Sequence, residues 1–169
     1  MKKFKITFLM IVMALWCSAT ISYSEIAKEG SGDYLTGKSG TFEVLKLGKN
    51  RFQMNWDVAG VFVEAPENSP LVNASYHSIG TLHALDGKTK STGGIVFTRP
   101  NGDQIFGTFI STGVLRGPIT SAVVEFTSGT GECTGIEGKM EAAPRPKVKS
   151  STKGGWQAIG IGTVTWKIP

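Results

Sequence analysis

Cysteine and histidine are scarce in this chain, and so are the patterns through which they do chemistry. Two cysteines, Cys17 and Cys133, and two histidines, His77 and His83, stand among 169 residues. Cys17 falls in an N-terminal segment expected to be removed, which leaves Cys133 alone. A single cysteine closes no internal disulfide, so an apolar core must hold the domain together. Cys133 reads as a small buried hydrophobe, with a reactive or intermolecular thiol as the alternative. The two histidines lie six residues apart on one strand candidate. That places them roughly 20 Å apart, too far to share a metal ion. The sequence contains no H-E-x-x-H, no C-x-x-C, no Asp-rich calcium loop and no G-x-S-x-G elbow. No metal and no cofactor is expected, and a hydrolase of the nucleophile-elbow kind has no support.

A strong charge of one sign is also missing once the N-terminus is set aside. The chain has 18 Lys+Arg against 13 Asp+Glu. Without Lys2, Lys3 and Lys5 the balance is 15 to 13, a net charge of +2. A nucleic-acid binder keeps a basic stripe, and none survives here, so no nucleic-acid partner is expected. The one local cluster, Lys139, Arg145, Lys147, Lys149 and Lys153, reads as a solvated loop; an acidic partner or membrane surface is the alternative.

What the N-terminus does have is the layout of an export signal. Lys2, Lys3 and Lys5 precede the apolar run Ile6 to Trp16, and Ser22-Tyr23-Ser24 offers small residues at the positions a signal peptidase reads. Cleavage after Ser24 is expected, with Ala19 as the fallback, and residues 1–24 are read as a signal peptide. The run is too short for a permanent membrane anchor. A lipoprotein signal would need small residues just before Cys17, where Leu15 and Trp16 stand. The expected location is periplasmic or secreted, with no stable membrane anchor. The remaining chain of about 145 residues is long enough to bury roughly 70% of its unfolded surface in one core.

Long helical periodicity is absent as well. Twenty-two glycines and many short alternating runs point to an all-β domain. Arg51 to Val58 alternates most cleanly, with Phe52, Met54, Trp56 and Val58 on one face. Further strands are expected at Thr41 to Leu47, Ala59 to Glu64 after a bend at Gly60, and Val72 to Leu85 with a kink at Gly80. Gly94 to Arg99 and Gln104 to Ile110 flank Asn101-Gly102, a hairpin signal that would pair Arg99 with Gln104 and Phe97 with Phe106. Ala122 to Thr127, Gly135 to Ala142 and Gly155 to Ile168 complete about eight strands. Closely spaced hairpin-connected strands are best satisfied by a closed antiparallel eight-stranded β-barrel, with a two-sheet sandwich as the competitor. Residues 25–40 read as a flexible N-terminal segment and 41–169 as a single barrel domain; 142–155 reads as a second mobile stretch.

Gly32 to Ser39 matches G-x-x-x-x-G-K-[ST] letter for letter. A phosphate loop needs a strand before it and a helix after it. Neither is predicted, so the match is read as chance. His77 shares a face with Ser75, Ile79 and Thr81; if that face lines the barrel, His77 is a candidate acid–base group, and otherwise a surface histidine. Glu125, in the apolar run Ala122 to Phe126, is the second catalytic candidate if it points inward, and a solvent-face carboxylate if it does not. Trp56, Tyr76, Trp156 and Trp166 are candidate ligand-lining residues, with simple core packing as the alternative for each tryptophan.

The segment Gly129 to Gly138 carries the spacing G-x-G-x-x-x-G-x-x-G between two strands. This run, with the Gly117-Pro118 turn before it and the long final strand, resembles the allene oxide cyclase barrels and the dirigent proteins. The chain departs from them at Cys133, where those proteins usually carry an aromatic residue. The resemblance implies an eight-stranded barrel with a mostly apolar cavity open at one end. It also implies a possible homo-oligomer, a trimer in many relatives. Three functions stay open: a barrel binding a small apolar or aromatic ligand, a cyclase- or isomerase-like enzyme on an unsaturated lipid or phenolic compound, and a structural or interaction module of the cell envelope. A carboxylate or imidazole inside a dry cavity would favour the enzyme, and a filled interior would favour the module.

Overall fold

A computed structural model describes residues 25–115, 119–143 and 155–169. The leader candidate and most of the basic cluster lie outside the described residues. Eight antiparallel strands run in chain order: β1 (Glu29–Gly48), β2 (Arg51–Glu64), β3 (Ser75–Leu85), β4 (Lys88–Thr98), β5 (Gln104–Val114), β6 (Ile119–Gly129), β7 (Glu137–Ala142) and β8 (Trp156–Lys167). Each pairs with the next, and β8 pairs back onto β1 from Glu29↔Lys167 to Gly40↔Trp156. The barrel is closed, so it has no free edge around its lower wall.

Side chains alternate across this wall as strand geometry requires. Tyr34 and Thr36 on β1, Val58 and Phe62 on β2, and Tyr76 and Ser78 on β3 point inward and are buried. Their neighbours Asp57, Ala59, Ser75 and His77 are exposed. Residues 25–40, expected to be flexible, are instead largely strand. Glu29 to Gly40 pairs with the whole of β8, and Leu35 to Gly40 also pairs with β2. Its alternation is hidden in sequence because glycines occupy several inward positions and leave Tyr34, Thr36 and Lys38 as the visible ones. The phosphate-loop letters therefore lie in a strand with no helix behind them.

Two further expectations change. β3 starts at Ser75 rather than Val72, and it runs through Gly80 without a break. A Cβ at Gly80 would collide with the carbonyl of Thr92 and the ring of Trp56, so this glycine makes room for an aromatic ring instead of kinking the strand. The β4–β5 connection is longer than a two-residue hairpin. Pro100 fixes the first corner, Arg99 and Asp103 close the loop through Arg99 N–H to Asp103 O (2.9 Å), and Asn101 Oδ1 accepts from Asp103 N–H (3.0 Å). The register becomes Thr98↔Gln104, Phe97↔Ile105 and Val96↔Phe106. The expected Phe97–Phe106 pair does not form, because a one-residue shift sends the two rings to opposite faces.

The lower end is plugged. Leu71, Ala74, Ile105 and Cys133 are fully buried there, and Trp166 donates its indole N–H to Ala27 O (2.8 Å). Ala27 N–H donates to Asn68 O, which ties the segment before β1 to the loop after β2, and Ile168 N–H donates to Lys28 O, which ties the residue after β8 to that same segment. Above the plug lies an aromatic floor. Phe97 meets Phe62, Tyr76 and Phe126 at centroid distances of 5.8 to 6.0 Å, in tilted or edge-on arrangements worth roughly 0.5–1.5 kcal/mol each beyond area burial.

Arg99 is buried beside the plug and is held by Glu132 (2.5 Å) and Asp103 (3.5 Å). The two carboxylates come from the β4–β5 turn and from the 3₁₀ turn Gly131–Cys133, so the ion cluster stitches two loops together. In that turn Gly131 has φ +54°, and any side chain on it would run into Asp103. At the upper end β1 continues past the end of its pairing with β8 while staying paired with β2, itself paired with β3, and every residue from Thr41 to Gly48 is exposed.

Candidate ligand cavity

Above the aromatic floor the barrel interior is not filled. It holds a cavity of about 290 Å³, room for about ten water molecules at their share of liquid volume. The size follows from what the strands contribute. β8 presents Gly160, and β3 and β4 present serines, at levels where a tightly packed barrel would carry branched apolar residues. The floor is Phe97, Phe62, Tyr34 and Tyr76; the middle wall carries Val58, Ile95, Phe109, Val124 and Met140. Trp56, Leu82, Phe42 and Trp156 stand at the upper rim, where the cavity meets solvent.

The polar groups in this cavity are mostly spent on the wall itself. Ser78 donates to Gly94 O (2.8 Å), Ser91 to Thr81 O (3.1 Å), and Thr36 to Gly160 O (3.4 Å). Ser91 Oγ also accepts from the Trp56 indole N–H (3.3 Å), which holds that ring over Gly80 and edge-on to Phe109, at 5.7 Å and 90°. No buried side-chain nitrogen or oxygen among the described residues lacks a hydrogen-bond partner. The cavity therefore presents an apolar surface with satisfied hydroxyls and no strained polar atom.

One charged side chain lines it among the described residues. Lys38 reaches inward from β1, past Gly160, and its ammonium lies 5.8 Å from the centroid of the Trp156 ring. Among the described residues no Asp, Glu or His lines the cavity.

The expected site residues thus divide. Trp56, Tyr76 and Trp156 line the cavity. Trp166 does not: it is buried beneath the floor, with its ring across Gly30. His77 and Glu125 are both exposed on the outer wall, so neither meets the condition of facing inward on which a catalytic role depended. His77 donates from Nε2 to Asp57 Oδ1 (2.8 Å), and both side chains are more than half exposed. Glu125 sits between Thr108 and Lys139 in the register. A His–Asp pair without a nucleophile in a dry pocket is a surface hydrogen-bonded pair.

His83 is exposed, and among the described residues no group of three or more His, Cys, Asp or Glu is placed to hold a metal. Sequence reasoning missed Lys38, Phe97 and the serines. Lys38 was hidden by the phosphate-loop letters around it. The spacing Tyr34, Thr36, Lys38 would have placed it inward once that segment was recognised as a strand. In comparisons with protein families, curated proteins and solved structures, nothing matches this chain.

Proposed function

We propose that this is an exported barrel protein that binds one small apolar or aromatic molecule in its cavity. A single observation carries the reading: an aromatic and aliphatic cavity of about 290 Å³, open at one end and lined, among the described residues, by no carboxylate or imidazole. Such a lining rewards burial of an apolar body and supplies no evident proton-transfer pair. It favours binding over the cyclase- or isomerase-like alternative, and an unfilled interior disfavours the purely structural module.

Export rests on the basic and apolar layout of residues 1–24. The outer wall is mixed: Asp57, His77, Lys90 and Glu125 face outward beside exposed apolar side chains such as Val61, Val63, Ile79 and Ile110, while Tyr34, Phe62, Tyr76 and Phe97 are buried inside. Kinship with the allene oxide cyclase-like barrels remains part of this proposal and is supported by the Gly129–Gly138 connection and the barrel topology.

The test is native mass spectrometry of the protein purified from its own envelope, with solvent extraction of what co-purifies. A defined adduct of one small molecule per chain is expected, and the same spectra report whether the chains assemble. A bare mass at every charge state, together with no quenching of Trp56 and Trp156 fluorescence by small aromatic probes, would overturn the reading.

A further inference from the structure

The two ends of the barrel differ in charge and in what they expose. Among the described residues, the closed lower end is acidic: 25–29, 64–74, 99–103, 130–137 and 167–169 carry seven carboxylates against Lys28, Arg99 and Lys167. The open upper end reverses the balance. There, residues 42–51, 85–90 and 114–115 carry five basic side chains against Glu43 and Asp86. Lys46, Lys49, Arg51, Lys88 and Lys90 are all exposed. Arg51 meets Asp86 at 3.5 Å and links the β1–β2 tip to the β3–β4 tip.

The same end exposes apolar side chains. Leu45 is 62% exposed, Leu47 57%, Leu85 53% and Val114 50%. Tight turns leave them uncovered. Gly48 pairs with Arg51 and Leu85 with Lys88, so two residues close each hairpin. Asn50, Asp86 and Gly87 take positive φ, as short hairpin turns require. Leu47 and Leu85 therefore stand at the tips, with no long loop to fold over them. Beyond Gly40, where pairing with β8 ends, alternation puts Leu45 and Leu47 on one face of β1 and Val44 and Lys46 on the other. Both faces are exposed.

We infer that the open end docks reversibly onto an anionic lipid bilayer. Leu45, Leu47, Leu85 and Val114 enter the boundary between headgroups and acyl chains, and Lys46, Lys49, Lys88 and Lys90 reach the headgroups. The interleaving argues for a lipid surface. Leucines and lysines alternate along one strand and recur on separate tips, and a bilayer interface receives both kinds of side chain side by side. The charge asymmetry supplies the direction: the basic end is drawn to anionic headgroups and the acidic end is repelled. Docking sets the mouth of the cavity against the bilayer, and it holds whatever the cavity contains.

Co-sedimentation with vesicles tests it on the protein purified from its own envelope. Vesicles of phosphatidylcholine alone are compared with an equal mixture of phosphatidylcholine and phosphatidylglycerol. Binding to the mixed vesicles is expected to be at least about tenfold tighter, and added salt should weaken it. Lys46→Gln and Lys88→Gln should each lower the partition about fivefold. Leu45→Ser with Leu47→Ser should lower it about tenfold or more. Lys167→Gln, at the opposite end, should leave it unchanged. Equal binding to both kinds of vesicle, or to neither, overturns the inference. So does binding that persists undiminished in the rim variants, which would place the contact elsewhere on the chain. A dimer in solution that Leu45→Ser with Leu47→Ser splits, without vesicle binding, would show that a second copy covers this end instead. The vesicle comparison on the unaltered chain needs no variant, so it decides even if a variant does not fold.

Discussion

Replacing Phe97 by alanine removes the centre of the aromatic floor, and the structure sets the size of the effect. Phe97 is 1% exposed and touches Phe62, Tyr76 and Phe126 within 6.0 Å between centroids. Losing its burial costs about 2 kcal/mol in transfer free energy. Its neighbours sit on three other strands of a closed sheet, which cannot move inward independently. If a void of about 100 Å³ remains, the cavity term adds about 2.4 kcal/mol at roughly 24 cal/mol per Å³. The expected loss is therefore about 4 kcal/mol, within the usual range for burying and then deleting a phenyl ring.

Urea unfolding should show the loss as a lower midpoint at unchanged slope. Thermal unfolding should show it as a fall of about 8–16 °C. Because the lost ring opens downward from the existing cavity, the two spaces merge, and benzene should stabilise the variant more than the unaltered chain by mass action. A loss below about 1.5 kcal/mol, with no added response to benzene, would mean that Tyr76 or Phe62 swings into the gap. The floor would then not be the rigid base described here. Phe97→Leu keeps most of the volume and provides a folded comparison if the alanine variant falls below the stability threshold.

Two other expectations follow from the outer wall and the plug. Because His77 and Glu125 lie on the exposed face, His77→Ala and Glu125→Gln should each change unfolding free energy by less than about 1 kcal/mol and leave probe affinity unchanged; a loss of binding in either would place that group at the site after all. Cys133 is buried, and burial raises its thiol above 9.0, with Arg99 opposing and Asp103 and Glu132 reinforcing the rise. Above 9.0 the unfolded chain loses this proton while the folded chain keeps it, so the unfolded state is favoured as pH rises. The stability advantage of the unaltered chain over Cys133→Ala should be constant below about pH 8 and shrink above pH 9. A constant difference up to pH 10.5, or rapid thiol labelling in the native state, would contradict a buried neutral thiol.

The architecture was legible in sequence because it rests on local signals. Arg51 to Val58 alternates without exception, Lys49-Asn50 marks a turn, and the spacing of turn residues yields eight strands. The errors have physical causes. Glycine carries no hydropathy, so the first strand, with Gly30, Gly32, Gly37 and Gly40, passed for a flexible leader-to-barrel segment. Asn101-Gly102 announces a hairpin but does not fix its length. Only the Arg99–Asp103 closure and the salt bridge to Glu132 decide the register, and Glu132 lies 33 residues away from Arg99.

The cavity was the least legible part, because it consists of what side chains do not fill. Period-two alternation identifies two faces of a strand but does not say which faces the lumen. His77 and Glu125 were therefore as eligible as Ser78 and Val124. Closure removes that freedom. Once Tyr34, Phe62, Tyr76 and Phe97 meet in one layer, every other residue of β1 to β4 is committed, and the His77 face must point to solvent. The same closure turns Lys38 inward above that layer, with its ammonium 5.8 Å from the centroid of the Trp156 ring.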